Sequence, residues 1–358
     1  MISTFILGGA PTTIAIFIEL LVAGAIVIKA GTVFATLADT LSDRLNLASG
    51  WVGLILVATV TSLPEVVSGS TAAWIGNTDM AIAALFGSCS FNVTLIFLLN
   101  FLVRGGSVLR AVSHAHNLTS SFGLFLMGLA LFGVLLSTKF GDRPSLAAIC
   151  ELIWAVAIFA TYVGCMRLTY SFEKRIGQQE HDDAPKPFGT WNYCKLATTA
   201  IVIVLAAWWL AQIGDVLSTH EIGLLGRPLG ATFVGAGFLA LATSLPEITT
   251  SVAAVRIGNL NLALGNIFGS NMFNIFVIPM IKVVSMIRGD DLLLNPGQFN
   301  ATESVITGML AILLTSIAVG GLTYKSKRVL LGRWGMGFDS ILIGIVYVGG
   351  MALLLFDG

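Results

Sequence analysis

The sequence predicts an all-α polytopic membrane protein, with ten transmembrane helices in two inverted five-helix repeats. Three observations lead there. Of 358 residues, 56% are hydrophobic and 11% charged, against about 25% charged in a soluble domain. The apolar residues come in blocks of about 20, the length that crosses a hydrocarbon core of about 30 Å. Finally, the stretch 58–92 recurs at 240–274, at an offset of 182 residues without a gap and with 16 of 35 positions identical. A repeat that long organises everything around it.

The apolar blocks place spans at 13–37, 50–74, 79–103, 119–137, 146–168, 194–217, 231–255, 261–285, 302–321 and 338–356. The long polar stretch 170–190 lies between the fifth and the sixth and reads as a hinge. This gives an N-terminal five-helix repeat at 1–169, a linker at 170–193 and a C-terminal five-helix repeat at 194–358. Loops after odd-numbered spans hold 13 Lys and Arg, and loops after even-numbered spans hold five. Basic loops stay in the cytoplasm, so both termini face outside and the linker is cytoplasmic. Five spans per half is an odd number, so equivalent spans run in opposite directions. Inverted repeats with a binding site near the midplane are the pattern of secondary transporters.

Net charge is zero, so no large field recruits nucleic acid. Cys89, Cys150, Cys165 and Cys194 form no CxxC pair and read as free thiols. The first residues carry no positive charge and no evident cleavage site, so a removed signal peptide is not expected. No catalytic triad, phosphate loop or haem motif is present, which argues against an enzyme. Nothing calls for a cofactor, and the oligomeric state is open, with a monomer plausible.

The repeat carries the chemistry. Its first copy contains Thr61-Ser62-Leu63-Pro64-Glu65, then Gly76-Asn77, then Phe86-Gly87-Ser88-Cys89-Ser90-Phe91-Asn92. Its second contains Thr243-Ser244-Leu245-Pro246-Glu247, then Gly258-Asn259, then Phe268-Gly269-Ser270-Asn271-Met272-Phe273-Asn274. Pro64 and Pro246 lie in mid-span, lack an N–H and crowd the carbonyls of Val60 and Ala242, so each helix is interrupted there. Freed carbonyls in a bilayer need another partner, which a cation, a hydroxyl or water can supply. Glu65 and Glu247 follow the prolines, and a carboxylate at that depth marks an ion pathway by default. Thr61 shares a helix face with Glu65, Thr243 with Glu247, Ser88 with Asn92, and Ser270 with Asn274, each four residues apart. Carboxylates, hydroxyls, amide oxygens and carbonyls are hard ligands, suited to Ca²⁺ or Na⁺ and not to zinc or copper. Gly265 and Gly269, and more weakly Ala83 and Gly87, permit close helix approach.

The doubled T-S-L-P-E segment, each time followed by G-S-x-x-x-N, resembles the alpha repeats of the cation/calcium exchanger superfamily, nearest its sodium/calcium exchanger branch. The motifs cover about a fifth of the chain. The resemblance implies alternating-access antiport of Ca²⁺ against Na⁺ in a plasma (inner) membrane. It implies Glu65 and Glu247 as central Ca²⁺ ligands, with backbone carbonyls from Thr61 and Thr243. Carbonyls of Ala58 and Ala240 would serve flanking Na⁺ sites. Ser62, Ser244, Ser88 and Ser270 would add hydroxyls, and Asn92 and Asn274 would line the centre. The chain departs from the pattern where Val60 and Ala242 replace a usual Gly, and where Ala83-Ala84 stands opposite Gly265-Asn266. It also has Gly69 opposite Ser251, and Asn274 where some members are acidic, which speaks against the potassium-dependent type.

The residues also allow plainer readings. A desolvated Glu can carry a proton, so Ca²⁺/H⁺ antiport, or antiport of another divalent cation, is the alternative. A cation channel or receptor is a third reading, and flux in vesicles discriminates, because a channel needs no counter-ion. The serines and asparagines could simply join helices. Glu19 and Lys29 read as structural or snorkelling, Glu151 and Asp339 as reaching the interface, and His114 and His116 as members of a solvated loop. The basic cluster Lys325–Arg328 follows from orientation, and Cys89 reads as a small packing residue.

Overall fold

The structure is a computed structural model. It describes residues 13–76, 78–103, 107–139, 144–180, 188–219, 240–288, 301–325, 329–331 and 336–356. In chain order the helices are α1 (Thr13–Leu45), α2 (Ser49–Thr61), α3 (Leu63–Trp74), α4 (Thr78–Asn100), α5 (Val108–Ala111), α6 (Ala115–Lys139) and α7 (Pro144–Glu180). They continue with α8 (Thr190–Thr219), α9 (Ala240–Thr243), α10 (Leu245–Arg256), α11 (Leu260–Arg288), α12 (Ala301–Tyr324) and α13 (Phe338–Phe356). Among the described residues, the only strands are β1 (Val329–Leu331) and β2 (Met336–Gly337), an antiparallel ribbon between α12 and α13.

Each predicted span holds helix, although residues 231–239 of the seventh lie outside the described residues. Among the described residues, seven helices are long and apolar enough to cross a membrane by themselves, and α2 with α3, counted as one bent span, makes an eighth. The apolar part of α13 is shorter, Phe338–Leu354. The chain is therefore a multi-pass membrane protein. Phe17, Leu21, Phe125, Phe132, Leu152, Phe159, Leu205 and Met309 point outward, where lipid is the partner such side chains require.

Helix α11 is central. It packs against α2, α3, α4, α6, α7 and α10, while α1 packs on α8 and α10, and α12 on α4 and α6. The glycine pair read from the sequence explains how α11 reaches that position. A Cβ at Gly265 would run into the Gly50 carbonyl, one at Gly269 into the Leu54 carbonyl, and one at Gly53 into the Leu262 carbonyl. Backbone meets backbone, as small residues allow. Facing this contact, α2 widens into a π turn at Gly53–Val57, which no local sequence signal announced. The weaker equivalent behaves differently: a Cβ at Gly87 would meet nothing within 4 Å.

Three expectations change in detail. The helix interruptions fall at Ser62 and Ser244, two residues before each proline. Proline is well accommodated in the first turn of a helix, so each one starts the following helix. The polar stretch after Tyr170 is helical as far as Glu180, because Glu, Lys, Arg and Gln are good helix formers. His116, expected in a solvated loop, is buried on α6 beside Asn261, 3.3 Å from Nε2 to Oδ1, whereas His114 is exposed.

Candidate cation site

The two interrupted spans place their carboxylates alike. α2 and α3 meet at 41°. Glu65 and Glu247 occupy the third position of α3 and α10, in the first turn after the break. The unpaired N–H groups of a helix start favour negative charge there. Both side chains are buried.

The surrounding polar groups link the two repeats. Ser62 Oγ donates to Glu247 Oε1 at 3.1 Å. Asn274 Nδ2 donates to Ser88 Oγ at 3.1 Å, and Ser88 Oγ lies 3.5 Å from Glu65 Oε1. Thr61 Oγ1 is 3.3 Å from the Ala58 carbonyl and 3.4 Å from Ser270 Oγ. Cys89 and Asn271, equivalent positions in the two copies, touch each other. Asn271 Nδ2 donates to the Cys89 carbonyl at 3.2 Å, and Cys89 Sγ points at the Asn271 carbonyl at 3.7 Å. Equivalent positions of the two sequence copies thus meet each other directly. Cys89 is more than the filler expected of it.

Several buried oxygens of the two motifs have no hydrogen-bond partner: Glu65 Oε2, Glu247 Oε2, Ser244 Oγ, Asn92 Oδ1 and Asn274 Oδ1, with Asn92 Nδ2 unpaired as well. Buried acceptors are normally paired, and a concentration of unpaired oxygens around two carboxylates suits a cation. The structure thus brings Ala58, Thr61, Ser62, Glu65 and Ser88 together with Glu247, Ser270 and Asn274. Asn92, Thr243 and Ser244 are buried at the equivalent positions. Ala240 opens α9, one turn before the second break. Among the described residues, no three His, Cys, Asp or Glu side chains cluster as a metal centre.

Sequence reading missed Asn266, Thr250 and Ser251 as members of the cluster. The signal was there: Asn266, Ser270 and Asn274 recur every four residues on one helix face. Comparison of the two copies hid it, because Ala84 stands at the matching position of the first. Of the charges outside the motifs, Glu19 and Glu151 are placed by the structure. Glu19 is buried and accepts a hydrogen bond from Trp209 Nε1 at 2.9 Å, outside the cluster. Glu151, however, does not simply reach the interface: it is buried and pairs with Lys282 at 2.8 Å.

Comparison with known proteins places the chain. The family model described as "Sodium/calcium exchanger protein" matches residues 15–170 and 191–355. CaxA of Alkalimonas amylolytica is 26% identical over 292 residues, 80% of this chain and 84% of that protein. The sodium/calcium exchanger MaX1 of Methanosarcina acetivorans is 49% identical over 55 residues, 15% of each chain. A solved structure of the sodium-calcium exchanger NCX_Mj superposes with a TM-score of 0.61 at 19% identity, covering 95% of this chain and 99% of that one, which shows a shared fold. With the match running through both halves, the chain belongs to the sodium/calcium exchanger family, and is a membrane transporter rather than an enzyme.

Proposed function

We propose that the protein exchanges Ca²⁺ for Na⁺ across the membrane by alternating access, with the cation site near the midplane between two inverted five-helix repeats. The observation that carries this reading is the pair Glu65 and Glu247. Each is buried in the first turn after a helix break, and each has one oxygen, Oε2, that no protein donor reaches. Two carboxylates balance one divalent cation, and hydroxyls and carbonyls complete an oxygen shell of the kind Ca²⁺ prefers. The names of MaX1 and NCX_Mj as sodium/calcium exchangers and the reciprocal Cys89–Asn271 contact support it. In this reading Ala58, Thr61, Ser62, Ser88 and Asn92 act with Ala240, Thr243, Ser244, Ser270 and Asn274 as auxiliary ligands. The halves are 1–169 and 194–358, the linker 170–193 is cytoplasmic, both termini are external, and the membrane is the plasma (inner) membrane. No cofactor takes part.

The test is ⁴⁵Ca²⁺ uptake into proteoliposomes. An outward Na⁺ gradient should drive uptake, and a pH gradient at equal Na⁺ should not. Uptake driven by the pH gradient alone would replace Na⁺ by H⁺ as the counter-ion. Uptake without any counter-ion would point to a channel and overturn antiport.

A further inference from the structure

Asn266 sits on α11, buried, one helical turn before Ser270. Its carboxamide can be oriented from its neighbours. On one side lie three acceptors of α10: Thr250 Oγ1 at 3.0 Å, Ser251 Oγ at 3.0 Å and the Glu247 carbonyl at 3.4 Å. The Glu247 carbonyl can only accept, and the Thr250 hydroxyl already donates to the Pro246 carbonyl at 2.8 Å, so the NH₂ end faces α10 and Oδ1 faces the other way. There it meets Thr61 Oγ1 at 3.2 Å.

Thr61 Oγ1 is thereby surrounded by oxygens. Ala58 O, Asn266 Oδ1 and Ser270 Oγ all lie 3.2–3.4 Å from it. Four oxygens share the protons of two hydroxyls, and one N–H enters the group, that of Ser62, which the Ala58 carbonyl accepts at 3.0 Å. That surplus of lone pairs is the chemistry of a small hard cation's shell. The matching positions in the other copy are Ala240, Thr243, Ser88 and Ala84. Alanine supplies no side-chain oxygen, so the second set has one ligand fewer.

We propose that Asn266 Oδ1 is a direct ligand for a monovalent cation bound among Ala58, Thr61 and Ser270, and that it makes the two flanking sites unequal. The site beside the first helix break is then the tighter Na⁺ site, and its counterpart, built around Ala84, the weaker one. This rests on the Na⁺-coupled reading above.

Direct ²²Na⁺ binding to purified protein, together with the Na⁺ and Ca²⁺ dependence of exchange in proteoliposomes, tests it. Asn266→Ala should raise the half-saturating Na⁺ concentration about ten-fold, the loss of one ligand oxygen, and leave the KM for Ca²⁺ within about two-fold. Asn266→Asp separates a ligand from a scaffold. It keeps an oxygen toward Thr61 but loses the NH₂ contacts to Glu247, Thr250 and Ser251. A ligand role predicts Na⁺ affinity equal to or tighter than wild type. Loss matching that of Asn266→Ala would make the residue structural and overturn the proposal. Unchanged Na⁺ binding in Asn266→Ala would overturn it as well, while leaving exchange itself intact. A wild-type protein with no Na⁺-driven Ca²⁺ flux would sink the antiport reading instead, and the ²²Na⁺ measurement would still decide the role of Asn266.

Discussion

At the scale of single residues the two carboxylates dominate. Glu65→Gln and Glu247→Gln keep shape and hydrogen bonding but remove one charge each. In a poorly solvated site an uncompensated Ca²⁺ charge costs far more than in water. Each change should therefore abolish ⁴⁵Ca²⁺ uptake nearly as completely as the double change, because both residues act on one ion. Folding should survive, since an amide is cheaper to bury than a carboxylate. Glu19→Gln is the control. Glu19 is also buried, but it accepts a hydrogen bond from the Trp209 indole outside the cluster, and substantial transport should remain. Robust uptake by either Gln variant at 65 or 247, or a dead Glu19 variant, would remove these two residues from the centre of the site.

At the scale of elements the breaks and the glycine contacts work together. The breaks at Ser62 and Ser244 put each Glu at a helix start. The Gly53–Gly265–Gly269 contact holds α2 close to α11, so that Thr61 reaches Ser270 and Asn266. Gly265→Ala pushes a methyl group against backbone atoms of Gly50 and Leu54, which cannot swing away as a side chain can. Overpacking of this kind costs about 1–3 kcal/mol. The melting temperature of the detergent-purified protein should fall, with Ca²⁺ transport impaired in the fraction that folds. Gly164→Ala on α7 meets nothing within 4 Å and should leave melting unchanged or slightly raised, since Ala is the better helix former. Equal melting of the two variants would mean that the α2–α11 contact is looser than its geometry indicates.

At the scale of the whole molecule, contacts between the halves decide how they are joined. Lys282 on α11 and Glu151 on α7 form an ion pair of 2.8 Å, 11% and 7% exposed. Removing one partner of a buried pair leaves the other charge uncompensated, at about 3–5 kcal/mol, whereas replacing both by apolar groups is often neutral. Glu151→Ala should lower thermal stability strongly, and Glu151→Leu combined with Lys282→Met should recover most of it. If the double variant melts as low as the single, the pair is not what matters at that position. Topology is tested by cysteine labelling of intact cells in a background freed of the four native cysteines. Positions 142 and 290, which lie outside the described residues, should label from outside, and position 180 at the end of α7 should not. Labelling at 180 would overturn the inverted arrangement.

Much of this architecture is written in local sequence. A span needs only a run of apolar residues, a break needs a proline, and a repeat shows itself by identity, so the helices and the carboxylates Glu65 and Glu247 are legible without coordinates. Partners are not. Ser62 finds Glu247, Ser88 finds Asn274, and Thr61 finds Asn266 and Ser270 across 185, 186, 205 and 209 residues, and no spacing rule reaches that far. The same holds for His116, buried where Asn261 and Phe268 come to meet it. It holds too for Glu151, whose fate depends on Lys282. Asn266 illustrates the boundary best. Its helical spacing from Ser270 was on the page from the start, but its role depends on which end of a carboxamide faces which helix. Sequence determined the parts and their two-fold repetition through patterning and covalent geometry. Tertiary packing decided which polar groups share one dry cluster, because a buried donor or acceptor takes whatever partner the fold carries to it.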